Sequence, residues 1–413
     1  MEGTVEVSSP GRADFLNTHQ DYKGLPVVPV AINLRMHFTA EPSENDIFTI
    51  TSLDLQKLGE RSTDSFRVGV NGMLEGKFFG NYLRGVVNVL VKQGLAEKLR
   101  GMKVAIKSEI PVGSGLSSSA ALEVGFAELL NHAYGLGLSR HDLAEVAFAA
   151  ENKEARIPCG RLDQYGVAFG GIIRLECVPP YNVEPLPFSD LTFAIVDSGI
   201  RHSTADIHPK RQEDINRGLR ALMESEAVPE ELKNTLGFSF NEPKWERIDE
   251  AEIEDYISVL DEKARSRILF TLRMQGSTEL ALKVLRRQKI SNTEANRQFG
   301  EKRWKALRNG PPSELSQRVL GTVMNDQQAL LRDLYDVSLP KLDDFCQEAL
   351  DAGAYGAKIS GAGMGGSVIA LVKDEDDGRK VIDACLRVGA RNGWVSRVGE
   401  GVKVEQPQTQ RDI

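Results

Sequence analysis

The stretch Ile110-Pro-Val-Gly-Ser-Gly-Leu-Ser-Ser-Ser-Ala-Ala121 breaks the chain with two glycines and then launches an apolar-periodic run. Gly113 and Gly115 open backbone angles closed to other residues and leave room for a ligand to approach the main chain. Ser117, Ser118 and Ser119 suit an N-cap and first turn, and Ala120, Ala121, Leu122, Val124, Phe126, Ala127, Leu129 and Leu130 lie at the spacing of a helical apolar face. A helix start presents unpaired N–H groups and the positive end of a dipole, and both favour phosphate. Hydroxyls at the same place can ligate magnesium. The plainer alternative is a capped core helix after a turn. No Gly-Lys-Ser or Gly-Lys-Thr is present, so this is not a Walker A loop.

Around that loop the pattern predicts strands over 4–8 (ending at Pro10-Gly11), 27–38, 48–53, 102–108, 170–177, 191–196, 357–360, 367–372 and 394–398. Helices are expected over 82–93, 140–153 and 378–389, with a charged, mostly helical segment from Ile207 to about Tyr335. Strands and helices mix without regular βαβ spacing, which predicts an α+β fold in two lobes. The boundaries expected are 1–188, 189–405 and a frayed tail over 406–413. A chain of 413 residues, 41% hydrophobic and 27% charged, is long enough for two or three domains. Its net charge of −8 argues against general nucleic-acid affinity. No apolar run is long enough to span a bilayer, and Met1–Glu6 lacks the features of a secretory signal. Cys159, Cys177, Cys346 and Cys385 form no Cys-x-x-Cys pair and read as reduced thiols of a cytoplasmic protein. The six histidines show no His-Glu-x-x-His spacing, so a zinc hydrolase has no support.

Three further patches carry possible chemistry. After Pro10-Gly-Arg12, read as following a turn, comes a polar cluster of Asp14, Asn17, Thr18, His19 and Asp21, suited to a polyhydroxylated ligand or to a solvated loop. Glu151 closes a helix, and Asp163 follows the Pro158-Cys-Gly160 turn. A carboxylate wedged between apolar elements can act as a base, or can simply cap. Lys358-Ile-Ser-Gly-Ala-Gly-Met-Gly-Gly366 puts four glycines between two strands. That run is either a ligand-covering loop or a plain hairpin.

The ordered set resembles the GHMP small-molecule kinases, and within them the galactokinases. It comprises Pro-Gly-Arg…His-x-Asp-Tyr, Gly-x-Gly-Leu-Ser-Ser-Ser-Ala-Ala and Gly-Ala-Gly-Met-Gly-Gly. Pro158-Cys-Gly-Arg-Leu-Asp-Gln164 and Val337-Ser-Leu-Pro-Lys-Leu-Asp343 add to it, so the likeness runs from about Pro10 to Val372. The resemblance implies a two-lobed fold, with an N-terminal mixed-sheet domain, a C-terminal α/β-sandwich-like domain and the active site between them. It implies transfer of the γ-phosphoryl of ATP to the anomeric hydroxyl of a monosaccharide, with ATP and Mg2+ as cofactors, in a monomer or homodimer.

By that resemblance Asp163 would be the base, with Arg12 beside it. Gly113, Ser114, Gly115, Leu116, Ser117, Ser118 and Ser119 would cradle the ATP phosphates. Ser119 and Glu151 would flank the metal, Phe79 and Tyr82 would lie near adenine, and Gly363 would belong to the closing loop. Thr18, His19, Asp21 and Gly160 would meet the sugar, and the 201–211 region also matches sugar-contacting parts. The family pattern Arg-x-Asn-Leu-Ile-Gly-Glu-His-x-Asp-Tyr is altered here: Asp14 stands for Asn, Asn17 for Gly and Thr18 for Glu. The family's usual Tyr has no clear counterpart, although His208 lies near its place. Asn325-Asp326 replaces a Ser-His pair, and Met364 a frequent Phe. The shorter, uncharged Thr18 should change contacts at carbon 6. The resemblance makes D-galactose the first expectation; the Thr18 change adds sugars altered at carbon 6 (L-arabinose, fucose, galacturonate) as alternatives, beside N-acetylgalactosamine. A mevalonate- or homoserine-type kinase, or a non-catalytic sugar sensor, is the rival class. Against the sensor, Ser117–Ala121, Glu151, Asp163 and Arg12 are all intact.

Overall fold

Alternating apolar side chains organise the first part of the chain into strands β1 (Val5–Leu16), β2 (Val28–Pro42), β3 (Ile47–Ser52), β4 (Thr63–Arg67) and β5 (Met102–Ser108). The computed structural model describes residues 3–76, 78–201 and 207–405. These strands lie in the order β1-β2-β5-β3-β4; β3 and β5 run parallel, and the other neighbours are antiparallel. Four helices accompany them: α1 (Gly80–Lys92), α2 (Ser118–Tyr134), α3 (Arg140–Ala149) and α4 (Leu162–Phe169). Helices α2 and α4 pack on β1 and β2, with α1 and α3 against α2. Helix α2 comes close because it carries Gly125 where it crosses β2; a Cβ there would sit 2.2 Å from the Phe38 ring. Phe126 then meets Phe48 edge-on at 6.0 Å, both fully buried. Each such ring contributes about 1.5–3 kcal/mol from burial.

A short ribbon of β6 (Ile173–Leu175) and β7 (Val183–Pro185) leads to a second, fully antiparallel sheet. It comprises β8 (Thr192–Asp197), β9 (Gly356–Ser360), β10 (Ser367–Val372) and β11 (Asn392–Arg397), in the order β11-β8-β10-β9. Between β8 and β9 lie the long helices α5 (Ile207–Glu224), α6 (Glu262–Leu285) and α7 (Leu315–Asp333), then α8 (Pro340–Asp351). Helix α9 (Glu375–Arg387) separates β10 from β11. Helix α5 packs on α6, α6 on α7, and α7 and α8 on β9, while α9 covers β8 and β11. Helix α7 meets β9 glycine to glycine: a Cβ on Gly356 would lie 2.0 Å from the Gly321 carbonyl oxygen. The chain finally returns to the first sheet, where β12 (Lys403–Val404) pairs with the outer edge of β1. Phe15 of β1 and Phe193 of β8 join the two sheets edge-to-face at 5.3 Å.

Several expectations are corrected. Strand β1 does not stop at Pro10-Gly11, and no turn precedes Arg12. It runs on to Leu16 through register shifts at Pro10/Arg12 and Asp14/Leu16. Such bulges let a residue without an N–H stay in a strand and re-aim its neighbours. The expected strand over 170–177 shortens to β6. Asp163 is not in a loop but in the first turn of α4, where a carboxylate suits the helix dipole. The helix expected over 140–153 ends at Ala149 and passes into one π turn, Ala150–Glu154. Strand β4 is an addition that the pattern does not predict. The tail over 406–413 lies outside the described residues.

Candidate active site

The bulged strand β1 aims Arg12 into the cleft between the sheets. Its Nε and Nη2 donate to Asp163 Oδ1 at 2.9 and 2.5 Å, and its Nη1 donates to the Gly115 carbonyl at 2.7 Å. Gly166 lets α4 lie this close, because a Cβ there would already touch Pro29 and Arg12 Cβ at 3.1 and 3.4 Å. Both arginine bonds to Asp163 go to Oδ1, so Oδ2 is left for a ligand. Asp163 lines a cavity of about 340 Å³.

The two glycine loops form one side of that cavity back to back. A Cβ on Gly115 would stand 3.0 Å from the Ser360 carbonyl, and Gly361 lies against Gly115. Gly113, Gly115, Leu116, Ser117, Ser118 and Ser119 all reach the cavity wall. Ser117 takes the N-cap position of α2 in a left-handed conformation (φ 58°), and no side chain caps the helix. Its hydroxyl is buried without a partner. The reading of these serines as caps is therefore corrected, and the helix start is left to the cavity. Ser114 is behind the wall: its hydroxyl donates to Pro111 O at 2.7 Å and its carbonyl accepts from Ser367 Oγ at 2.8 Å.

Glu151 enters from the π turn, a deviation that recurs at functional sites. Gln164 Nε2 donates to its Oε2 at 2.7 Å. Burial, then the charge of Asp163, raise Glu151 to about 7. Glu123, one turn beyond Ser119 on α2, is fully buried with neither oxygen hydrogen-bonded. Burial and the charge of Glu151 push it well above the carboxylate range.

The polar cluster after Arg12 is not a solvated loop. Asp14, Asn17, Thr18 and His19 are buried, with Asn17 and His19 at positive φ (61° and 65°). Asp14, His19 and Asp21 line the cavity, and Gly160 closes on Asp21: a Cβ there would sit 2.0 Å from Asp21 Oδ2. Thr18 is not on the cavity wall. Its hydroxyl accepts from Lys358 Nζ at 2.9 Å, and this fully buried lysine also donates to Asp14 O at 2.7 Å and Ile359 O at 2.9 Å. Burial pulls Lys358 down to about 8 against the charge of Asp14.

Phe79, Tyr82 and Gly363 also lie off this cavity. Phe79 packs on Phe78 at 4.9 Å beside α1. Tyr82, on α1, has its hydroxyl's acidity suppressed by burial and then by Glu151 and Glu123. Gly363 packs against Val337, whose carbonyl a Cβ would meet at 2.4 Å. Of the 201–211 region, residues 202–206 lie outside the described residues, while His208 does line the cavity. Asn325 braces β9 by accepting from Ala357 N at 2.9 Å, and Asp326 pairs with Arg303 at 2.7 Å. Lys358 and Glu123 carry no signal in the sequence. One is a charge inside an apolar strand and the other a charge inside an apolar helix face, and the side chain that Lys358 meets, Thr18, lies 340 positions away. A larger cleft of about 1000 Å³ opens near Trp245 and α6; of its four arginines, Arg273, Arg297 and Arg303 are paired with Glu250, Asp249 and Asp326.

Asp21 provides a pH-dependent test. Burial, then Asp14 and Asp163, raise it to about 7 from its ordinary 3.8. The folded state therefore holds this proton more tightly than the unfolded chain. The stabilisation is full below about 4 and is lost as pH rises to about 7. We expect the stability of wild type relative to Asp21→Asn to fall over that window, measured by denaturant unfolding at a series of pH values. A flat difference would refute it.

Comparison with known proteins agrees with this geometry. The GHMP kinase N-terminal domain matches residues 81–171, the GHMP kinase C-terminal domain 314–391, and the galactokinase galactose-binding signature 2–42. A galactokinase of Thermococcus kodakarensis is 30% identical over 97% of this chain and 100% of its own length. The chain belongs to the galactokinase family of GHMP kinases. A Pyrococcus furiosus galactokinase is 28% identical over 93% of each chain. The crystal structure of Lactococcus lactis galactokinase complexed with galactose superposes with a TM-score of 0.75 at 24% identity, covering 97% of this chain and 95% of that one. Methanococcus jannaschii mevalonate kinase shares the fold at a TM-score of 0.64 and 18% identity, over 97% and 99% of the two chains. As a galactokinase-family kinase, the protein uses ATP. Its signature segment carries Arg12, Asp14, His19 and Asp21, and its N-terminal kinase segment carries Gly113–Ser119, Glu151 and Asp163. The cavity is where those two segments meet. Among the described residues no helix is long and apolar enough to cross a membrane.

Proposed function

We propose that the protein transfers the γ-phosphoryl of ATP to the anomeric hydroxyl of a monosaccharide, with D-galactose the first candidate. The observation that carries this reading is Asp163, held through Oδ1 by Arg12 with Oδ2 left open, in the same cavity as the uncapped start of α2. Asp163 Oδ2 accepts the proton of the sugar hydroxyl as the O–P bond forms and the β,γ bridge bond breaks. Arg12 fixes that carboxylate and brings a positive charge beside the transferring group. The amides of the Gly113–Ser119 loop and helix start bear charge developing on the phosphates. His19 and Asp21, with Gly160 against Asp21, orient the sugar.

The residues also fit a magnesium ion. Ser119 and Glu151 offer only hard oxygen donors, and Glu123 and Glu151 are buried acids with no cation bonded to either among the described residues. Among the described residues no cluster of three His, Cys, Asp or Glu side chains could hold a metal alone. That suits an ion completed by substrate phosphates. Mg2+ bound there would neutralise phosphate charge. The four free cysteines fit a reducing compartment, the cytoplasm.

The test is an ATP- and Mg2+-dependent screen of galactose, N-acetylgalactosamine, arabinose, fucose, galacturonate, glucose and mevalonate, reading ADP release and the position of the new phosphate. A sugar 1-phosphate is the expected product. Turnover of mevalonate alone, or of nothing in the panel, would overturn the reading.

A further inference from the structure

Besides Ser117 Oγ, three buried polar atoms of cavity-lining residues have no hydrogen-bond partner among the described residues: Asp14 Oδ1, His19 Nε2 and His208 Nδ1. Their sides of the pocket adjoin, with the His19 and His208 rings 5.2 Å apart. Asp14 is held in place from behind. Its N–H donates to Ser360 Oγ at 3.0 Å, and its Oδ2 accepts from Gly361 N at 3.2 Å. Its Oδ1 has only the Arg12 Nε nearby, at 3.4 Å. An unpaired polar atom away from water is costly, so three of them around one cavity ask for a ligand that brings hydroxyls. An imidazole nitrogen can donate to or accept from a hydroxyl according to tautomer, and a carboxylate oxygen accepts.

The cations around the pocket are committed elsewhere. Lys358 Nζ spends its three protons on Asp14 O, Thr18 Oγ1 and Ile359 O. Arg12 is bound to Asp163 and Gly115 O. Lys23 is bonded to Gln20 Oε1 and lies over the Phe270 ring. Arg211 donates to Tyr335 O and Asp336. Among the described residues none of these four is open to pair with a carboxylate on a ligand, and Asp14 would repel one.

We propose that Asp14 and His208 are specificity-determining residues of the sugar subsite: with His19 they read hydroxyls of an uncharged sugar and turn away sugar acids. The proposal rests on the sugar-kinase reading above. It also accounts for Thr18, which takes no part in the cavity because Lys358 has claimed its hydroxyl. The family pattern carries a carboxylate at position 18; here a carboxylate stands at position 14, and Lys358 Nζ bonds both the Thr18 hydroxyl and the Asp14 backbone carbonyl.

The test is steady-state kinetics of wild type, Asp14→Asn and His208→Phe, with the best neutral sugar of the panel and with galacturonate. Wild type should favour the neutral sugar by about 100-fold or more in kcat/KM. Each variant should raise the KM for that sugar by about 10-fold or more while leaving the KM for ATP unchanged. Asp14→Asn should also narrow the preference over galacturonate, a ratio that a purely structural role would not move. Unchanged sugar KM and unchanged preference in both variants would overturn the proposal. So would an equal loss on every substrate with a raised KM for ATP. If wild type used galacturonate as well as the neutral sugar, this inference alone would fall; if it phosphorylated no sugar, the sugar-kinase reading would fall with it.

Discussion

Replacing Asp163 with Asn lowers turnover by on the order of 10²–10⁴-fold, the range general-base catalysis supplies, while ATP still binds. The size of the effect comes from the division of labour in the cavity. Phosphoryl transfer depends on positioning, on charge compensation and here on a proton acceptor for the sugar hydroxyl; Asn leaves the first two in place and removes the third. The side chain keeps its volume and can still accept from Arg12 through its amide oxygen. The Gly113–Ser119 loop and the start of α2 do not touch the substituted atom's proton chemistry, so nucleotide affinity should stay within a few-fold. Single-turnover phosphorylation and nucleotide titration of the same preparation separate the two quantities. Normal turnover in Asp163→Asn would remove the residue from the base's role, and lost ATP binding would mean that it acts as a structural support.

The second large effect is on stability, far from any ligand. Gly356→Ala places a Cβ 2.0 Å from Gly321 O and 2.5 Å from its carbonyl carbon, with backbone on both sides and no flexible side chain to yield. Helix α7 must back away from β9, and the repacking costs about 3 kcal/mol or more. The matched control is Gly276→Ala in the exposed middle of α6, where a Cβ meets nothing within 4 Å. That change should be neutral or stabilise by up to about 1 kcal/mol through helix propensity. Denaturant midpoints compare the two. Equal midpoints for Gly356→Ala and wild type would mean that the contact is looser than its geometry implies.

Periodicity suffices where one face of an element is buried, as in β5 and α9. It fails where function bends the chain. The Pro10-Gly11 pair looks like a strand end, yet two bulges carry β1 onward and place Arg12 and Asp14 on the cavity. Helix α4 is only eight residues long and interrupted by Gly166, so its pattern resembles a loop. Motif resemblance finds the residues that meet in the cavity from β1, the glycine-serine loop and the π turn. It cannot find what holds them, because those bonds join residues hundreds of positions apart. Lys358 reaches Asp14 O across 344 residues, and Gly361 N reaches Asp14 Oδ2 across 347. Phe79, Tyr82, Gly363 and Thr18 show the opposite limit: a family position is matched, but the residue does not line this cavity.

Strand β12 has a consequence for the order of assembly. Among the described residues the outer edge of β1, the strand bearing Arg12 and Asp14, is covered by Lys403–Val404 and by Glu405, whose N–H donates to the Glu6 carbonyl at 2.8 Å. On the ribosome, N-terminal segments emerge first and begin to fold at once. Here β1 must wait with an open hydrogen-bonding edge until residues 403–404 have been synthesised, and an open edge is a template for pairing with other chains. Arrival of β12, rather than emergence of the other strands of the first sheet, therefore closes the strand that carries Arg12 and Asp14.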